Sequence, residues 1–193
     1  MKKSEIELWE TVNSQELFVA APWIKLSVQQ VRLPDGRVVD DYYQIKLPEY
    51  AVVSAQTNDG RVIVERQYKH GVGKVTLVLP SGLIEEGEDP LAGAQRELLE
   101  ETGYVSDNWQ PLGNFIVNGN YGCGRAHLFL ARNAQRISDP ASGDLEDTEI
   151  LLMTPEEVLQ AVRSGQVNVL GSVTAIALAL NPGFTAPISH GQL

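Results

Sequence analysis

The sequence predicts an α/β protein, a mixed β-sheet with helices packed on it. Two observations carry that reading. Short apolar runs separated by Pro, Asn, Asp and Gly turn signals recur between Phe18 and Leu79, as in successive hairpins. One helix of about three to four turns then lies between Asp89-Pro90 and Gly103, and helix-forming stretches return near the end of the chain. Alternating hairpins and two or three helices make a sheet covered by helices.

Taken in order, residues 1–17 are polar and helix-permissive, with Ile6, Leu8 and Trp9 as apolar anchors. Phe18 to Leu33 reads as extended, Pro34-Asp35-Gly36 as a tight turn, and Val38 to Leu47 as the return strand. Ala51–Ala55 and Val62–Gln67 read as a second hairpin around Asn58-Asp59-Gly60. His70 to Gly73 is a loop, and Thr76–Leu79 a short strand entering Pro80-Ser81-Gly82. Beyond the first helix, Asn114–Val117 and Ala126–Ala131 pair as strands, and Arg136 to Asp147 is an acidic loop. Ile150–Met153 returns as a strand. Pro155–Ser164 and Ser172–Leu180 are helices.

The first helix carries the chemistry. Asp89 reads as its N-cap, Pro90 as its first position and Gly103 as its C′ stop. At about 100° per residue, Leu91, Ala94, Gln95, Leu98 and Thr102 share one arc. Glu97, Glu100 and Glu101 gather on the other side, where only Glu97 is placed to pair readily with Arg96 or Arg125. Like charges so close repel, and a hard divalent cation with oxygen ligands relieves that. A solvated acidic face is the bland alternative, and the spacing decides against it. From Gly82, five residues lead to Glu88, seven more to Arg96-Glu97, then come Glu100-Glu101, Gly103 and Tyr104.

This spacing resembles the Nudix box, the loop–helix signature of the Nudix hydrolase superfamily, with Tyr104 replacing an aliphatic residue at its last position. The resemblance implies a Nudix-type α/β/α sandwich with a mixed central sheet. The approach VIVERQYKHGVGKVTLVLPSGLIEEGE is similar to the ADP-ribose pyrophosphatase (ADP-sugar diphosphatase) branch, as are the Trp23 strand and the Pro-Asp-Gly turn. An N-terminal β extension (residues 1–47), exchanged between the subunits of a homodimer, and a Nudix domain (residues 48–193) are therefore expected.

The branch also implies roles for individual residues. Glu97 and Glu101, assisted by Glu100, hold Mg2+ (or Mn2+), with the Ser81 backbone carbonyl as a further ligand. Arg96 orients the carboxylates. Trp23 and Tyr42 (or Tyr43) are candidates to stack on adenine, and Lys69 stands where many members carry an arginine. His70 sits in a Gly-flanked loop near the presumed phosphate end. The general base comes from a late acidic loop in such enzymes, and among Asp144, Glu146, Asp147 and Glu149 the choice falls on Glu146. His127 reads as structural and His190 as part of a tail. Asn118 to Gly122 replaces a proline-containing segment that meets the distal part of the substrate in relatives, which leaves another nucleoside diphosphate compound open.

Composition bounds the partners. In 193 residues the formal charge is −10, and no basic stripe suits nucleic acid in bulk. A phosphorylated substrate therefore needs bridging cations. One cysteine, Cys123, suits a reducing compartment. No apolar run reaches membrane-spanning length, and a cytoplasmic location is expected. The expected activity is Mg2+-dependent hydrolysis of a nucleoside diphosphate sugar, ADP-ribose or an ADP-sugar, to a nucleoside monophosphate and a sugar phosphate. The rivals are a nucleotide-binding Nudix sensor without turnover, which has no need of all three glutamates, and a structural acidic domain.

Overall fold

The turn at Pro34-Asp35-Gly36 forms as its residues require. Gly36 takes φ 86°, Leu33 N–H donates to Arg37 O, and the Asp35 carboxylate accepts from Arg37 N–H. The structure is a computed structural model and describes residues 6–141, 143 and 147–184. The chain divides into two compact units.

The first unit comprises the described residues up to Pro48 together with Ile116–Arg125. Its antiparallel sheet runs β1 (Glu10–Ala20), β2 (Ile24–Arg32), β3 (Val38–Lys46). Residues 10–17 were expected to be helix-permissive and are strand instead. The polar residues of β1 find partners across β2, where Glu10 pairs Arg32 and Glu16 pairs Lys25. Cross-strand pairing of this kind overrides weak helix propensity. The Asn118 side chain caps the 118–121 turn by accepting from Asn120 and Tyr121 N–H. That turn joins β3, since Ile45 N–H donates to Tyr121 O at 3.0 Å and Tyr42 Oη to Asn120 O at 2.8 Å.

The second unit holds β4 (Tyr50–Thr57), β5 (Val62–Lys69), β6 (Lys74–Val78), β7 (Ser81–Leu83), α1 (Pro90–Thr102) and β8 (Tyr104–Val105). β9 (Asn108–Asn118) and β10 (Cys123–Arg136) follow, linked by the turn just described; residues 108–115 and 126–136 of these strands belong to this unit and the remainder to the first. β11 (Thr148–Met153), α2 (Pro155–Arg163), α3 (Leu170–Leu180) and a 3-10 turn at Pro182–Phe184 complete it. The mixed sheet has the path β11-β5-β4-β10-β8, with β4 parallel to β10.

Its two faces bury separate cores. Val52, Val64, Leu77, Leu128 and Leu130 pack with Val158 of α2 and Ile176 of α3. Ala51, Val53, Ile63 and Phe129 pack with Ala94 and Leu98 of α1. The result is an α/β/α sandwich. Thr154 and Glu157 close a capping box at the start of α2, and α3 is tied to the sheet by Leu79 N–H donating to Ser172 Oγ at 3.0 Å. Among the described residues, no helix is long and apolar enough to cross a membrane.

The expected β4–β5 hairpin turns where predicted but pairs only at Gln56 and Val62. Beyond that point the strands splay. β5 takes β6 and β11 as neighbours, β4 takes β7 and β10, and Val53 N–H donates to Pro80 O. The splay brings Gly82 opposite Ala51, beneath α1.

Gly103 closes α1 in the left-handed region (φ 75°), with its N–H donating to Leu99 O. A Cβ there would overlap the Ser138 carbonyl. Residues 137–141 cover this helix end, because Ile137 N–H donates to Gly103 O and Ala141 N–H to Glu100 O at 2.7 Å. Gly103→Ala is expected to cost about 2–4 kcal/mol, combining left-handed strain with a backbone clash. Urea denaturation reads the loss as a lowered midpoint with unchanged slope.

Candidate active site

The loop before α1 is folded around Glu88. Its carboxylate accepts from its own loop through Glu85 N–H at 2.9 Å and takes both Nε and Nη2 of Arg96 at 3.0 Å. This fork-to-fork pair holds the Glu88 carboxyl below its usual range, with Arg96 the larger cause and the Glu85 amide the next. Asp89 caps α1 by accepting from Leu91 and Ala92 N–H.

Arg96 also donates from Nη1 to Glu97 at 2.7 Å and to Glu100 at 3.2 Å, and from Nη2 to Leu83 O at 2.9 Å. Its pKa is raised, first by Glu88 and then by Glu97 and Glu100. The expectation that only Glu97 pairs readily is corrected, because residues at i and i+4 share a helix face and Glu100 reaches the same guanidinium.

The buried arc of α1 is also corrected. Gln95 is exposed, whereas Glu101 retains only 8% exposure. α1 leans toward β7, so that Glu101 Oε2 accepts from Ser81 N–H at 2.7 Å. Glu97 closes the other side of this junction, with its carboxylate occupying the space a Cβ on Gly82 would take. Only a glycine leaves that room.

The donor set fits a hard divalent cation. Glu97, Glu100 and Glu101 offer carboxylate oxygens, and the Ser81 carbonyl belongs to the residue whose amide Glu101 already engages. With Arg96 holding Glu97 and Glu100, no group of three or more His, Cys, Asp or Glu side chains is drawn together for a metal among the described residues.

The other expected residues fall in separate places. Lys69 ends β5, and His70 stands in the following turn, its ring edge-on to Tyr68. Trp23 and Tyr42 belong to the first unit. Trp23 is 63% exposed in the turn after β1, and Tyr42 lies edge-on to Trp9. Glu146, Asp144 and His190 lie outside the described residues. Glu149 pairs with Arg66 at 2.6 Å, and His127 with Glu49 at 2.7 Å.

Sequence reasoning missed Glu65 and Gln67, both buried in β5, with the Gln67 amide donating to Glu65 at 2.9 Å. The signal was period two: residues 63, 65, 67 and 69 share the α1-facing side, and three of the four are polar.

A three-layer sandwich in which one arginine organises the carboxylates of a loop–helix has the oxygen donors that suit a divalent metal. Residues 47–170 match the family profile described as NUDIX domain, so the chain belongs to the Nudix family. Residues 9–45 match the Nucleoside diphosphate sugar hydrolase N-terminal domain.

Among curated relatives, the chain is 28% identical over 170 residues to the Methanol dehydrogenase activator of Bacillus methanolicus, covering 88% of this chain and 90% of the relative. It is 28% identical over 159 residues to the ADP-ribose pyrophosphatase of Bacillus subtilis, covering 82% and 85%. Among solved structures, one described as an ADP compounds hydrolase superposes with a TM-score of 0.78 at 16% identity, covering 92% of this chain and 95% of that one, which establishes the shared fold. Nudix hydrolases generally use a divalent metal, as the donor set here suits.

Proposed function

We propose that this Nudix hydrolase cleaves the diphosphate linkage of a nucleoside diphosphate sugar, ADP-ribose or an ADP-sugar, to a nucleoside monophosphate and a sugar phosphate. The observation that carries the chemistry is the α1–β7 junction, where Glu101 is seated on the Ser81 amide and Glu97 fills the space left by Gly82. Support for the substrate class comes from relatives named as ADP-ribose pyrophosphatases and an N-terminal match to nucleoside diphosphate sugar hydrolases.

Glu97, Glu100, Glu101 and the Ser81 carbonyl would hold Mg2+, or Mn2+ in its place, which would supply neutralisation of phosphate charge and orientation of the attacking water. Arg96 fixes the rotamers of Glu97 and Glu100 from behind, itself anchored by Glu88 and Leu83 O. Lys69 and His70 bind phosphate oxygens. Trp23 and Tyr42 stack on the purine. The water's proton passes to Glu146, a role assigned from sequence resemblance.

The active form is a homodimer through the N-terminal extension, a reading supported by Val12, Leu17, Phe18 and Val19, which stand exposed along β1. The expected location is cytoplasmic, in keeping with one cysteine and no disulfide.

Mass detection of products from a panel of nucleoside diphosphate compounds in heavy-oxygen water tests the activity. The expected result is Mg2+-dependent release of a nucleoside monophosphate and a sugar phosphate, one of them carrying the heavy oxygen. Turnover confined to nucleoside triphosphates, or none with any compound, overturns the reading.

A further inference from the structure

We propose that Lys74 is a further substrate-binding residue, forming with Lys69 a two-ammonium clamp for a phosphate group on the α1-facing side of the β5–β6 hairpin. The placement follows from register. Ile63 packs with Ala94 and Leu98 of α1, so Glu65, Gln67 and Lys69, at successive steps of two, point to the same side. Directly opposed residues of neighbouring strands share a face. β5 pairs Glu65 with Val78, Gln67 with Thr76 and Lys69 with Lys74, which puts both lysines on the α1 side at the end of the hairpin. The turn between them is tight, with Val72 and Gly73 N–H both donating to Lys69 O at 2.9 Å.

Two opposed ammonium groups destabilise a hairpin, and here nothing within the described residues relieves them. Neither Lys69 nor Lys74 makes an ion pair or a side-chain hydrogen bond among the described residues. Lys25, Arg32, Arg37, Arg61, Arg66 and Arg136 each meet a carboxylate, and Lys46 and Arg163 share the lack of a carboxylate partner among the described residues; what sets Lys69 and Lys74 apart is that they stand directly opposed. In a chain of formal charge −10, a directly opposed, mutually repelling pair of ammonium groups is suited to an anion from outside. Phosphate oxygens fit, since Lys supplies a rotatable point charge and two of them bracket a doubly charged group. The proposal rests on the reading of the α1 side as the diphosphate face.

Initial rates with ADP-ribose and Mg2+, run on wild type, Lys74→Gln, Lys74→Arg and Lys69→Gln, test the clamp. Lys74→Gln is expected to raise KM about tenfold, the loss of one charge-assisted contact, with kcat held within about twofold. Lys74→Arg restores KM, and the rise of KM with added salt is shallower in Lys74→Gln. AMP and ribose 5-phosphate, titrated by calorimetry, identify the phosphate held. Weakened AMP binding in Lys74→Gln assigns the nucleotide half, and weakened ribose 5-phosphate binding the sugar half; either supports the clamp. An unchanged KM and salt slope in Lys74→Gln overturns it, as does a fall in kcat at constant KM. Absence of hydrolysis in the wild type is a separate failure, of the activity, and the calorimetric arm still reads the clamp.

Discussion

Glu101→Gln is expected to lower kcat by about a hundred- to a thousandfold, the scale of removing one charge-stabilising group from a reacting centre, while the fold survives. The amide keeps the shape of the carboxylate and retains an oxygen able to accept from Ser81 N–H, now at 2.7 Å. What it loses is the negative charge a metal needs, at a position only 8% exposed, where water compensates least. The measurement is kcat for ADP-ribose with saturating Mg2+, beside a thermal melt and an AMP titration. A melting temperature and AMP affinity near wild type with collapsed turnover fit the mechanism. Turnover within about threefold of wild type places the metal chemistry elsewhere and rules out the role given to Glu101.

Gly82→Ala is expected to be the more selective lesion. The added methyl claims the space of the Glu97 carboxylate, and the end of a flexible side chain yields more readily than backbone. Stability should therefore fall by no more than about 1 kcal/mol. Glu97 must leave its position over β7 and its 2.7 Å contact with Arg96, and kcat should drop about a hundredfold, since small misplacements of a catalytic group are costly. Mg2+ dependence separates the two causes. If the defect is a displaced ligand, the Mg2+ concentration for half-maximal rate rises. A lowered kcat with unchanged Mg2+ dependence would sink this account of Gly82.

Part of the α1 platform was legible in the sequence because its interactions are local. The Asp89 cap, the Pro90 start, the Gly103 stop and the reach of Arg96 to Glu97 follow from helical geometry over one or two turns, and Glu88 stands one residue before the N-cap, close in sequence to Arg96. The segments misread were those decided by distant partners. Residues 10–17 became strand because β2 offers them complementary charges, and the β4–β5 hairpin opened because β6 and β7 take up the facing edges. Glu65 and Gln67 were passed over because a mostly apolar run reads as core regardless of which face its polar members occupy.

Residue spacing was enough to specify the class of reaction. Seven spaced residues from Gly82 to Gly103 can gather carboxylates around one arginine wherever that loop and helix form, because the spacing sets the face. Which carboxylate is buried and which glycine is indispensable followed from packing between elements. Glu101 is buried because α1 leans on β7, and Gly82 lies beneath Glu97 because a splayed pair of strands brings it there. Both outcomes depend on contacts between elements separated in the chain, which no local pattern encodes. The opposed Lys69 and Lys74 belong to the same category, since strand register is what sets them on one face.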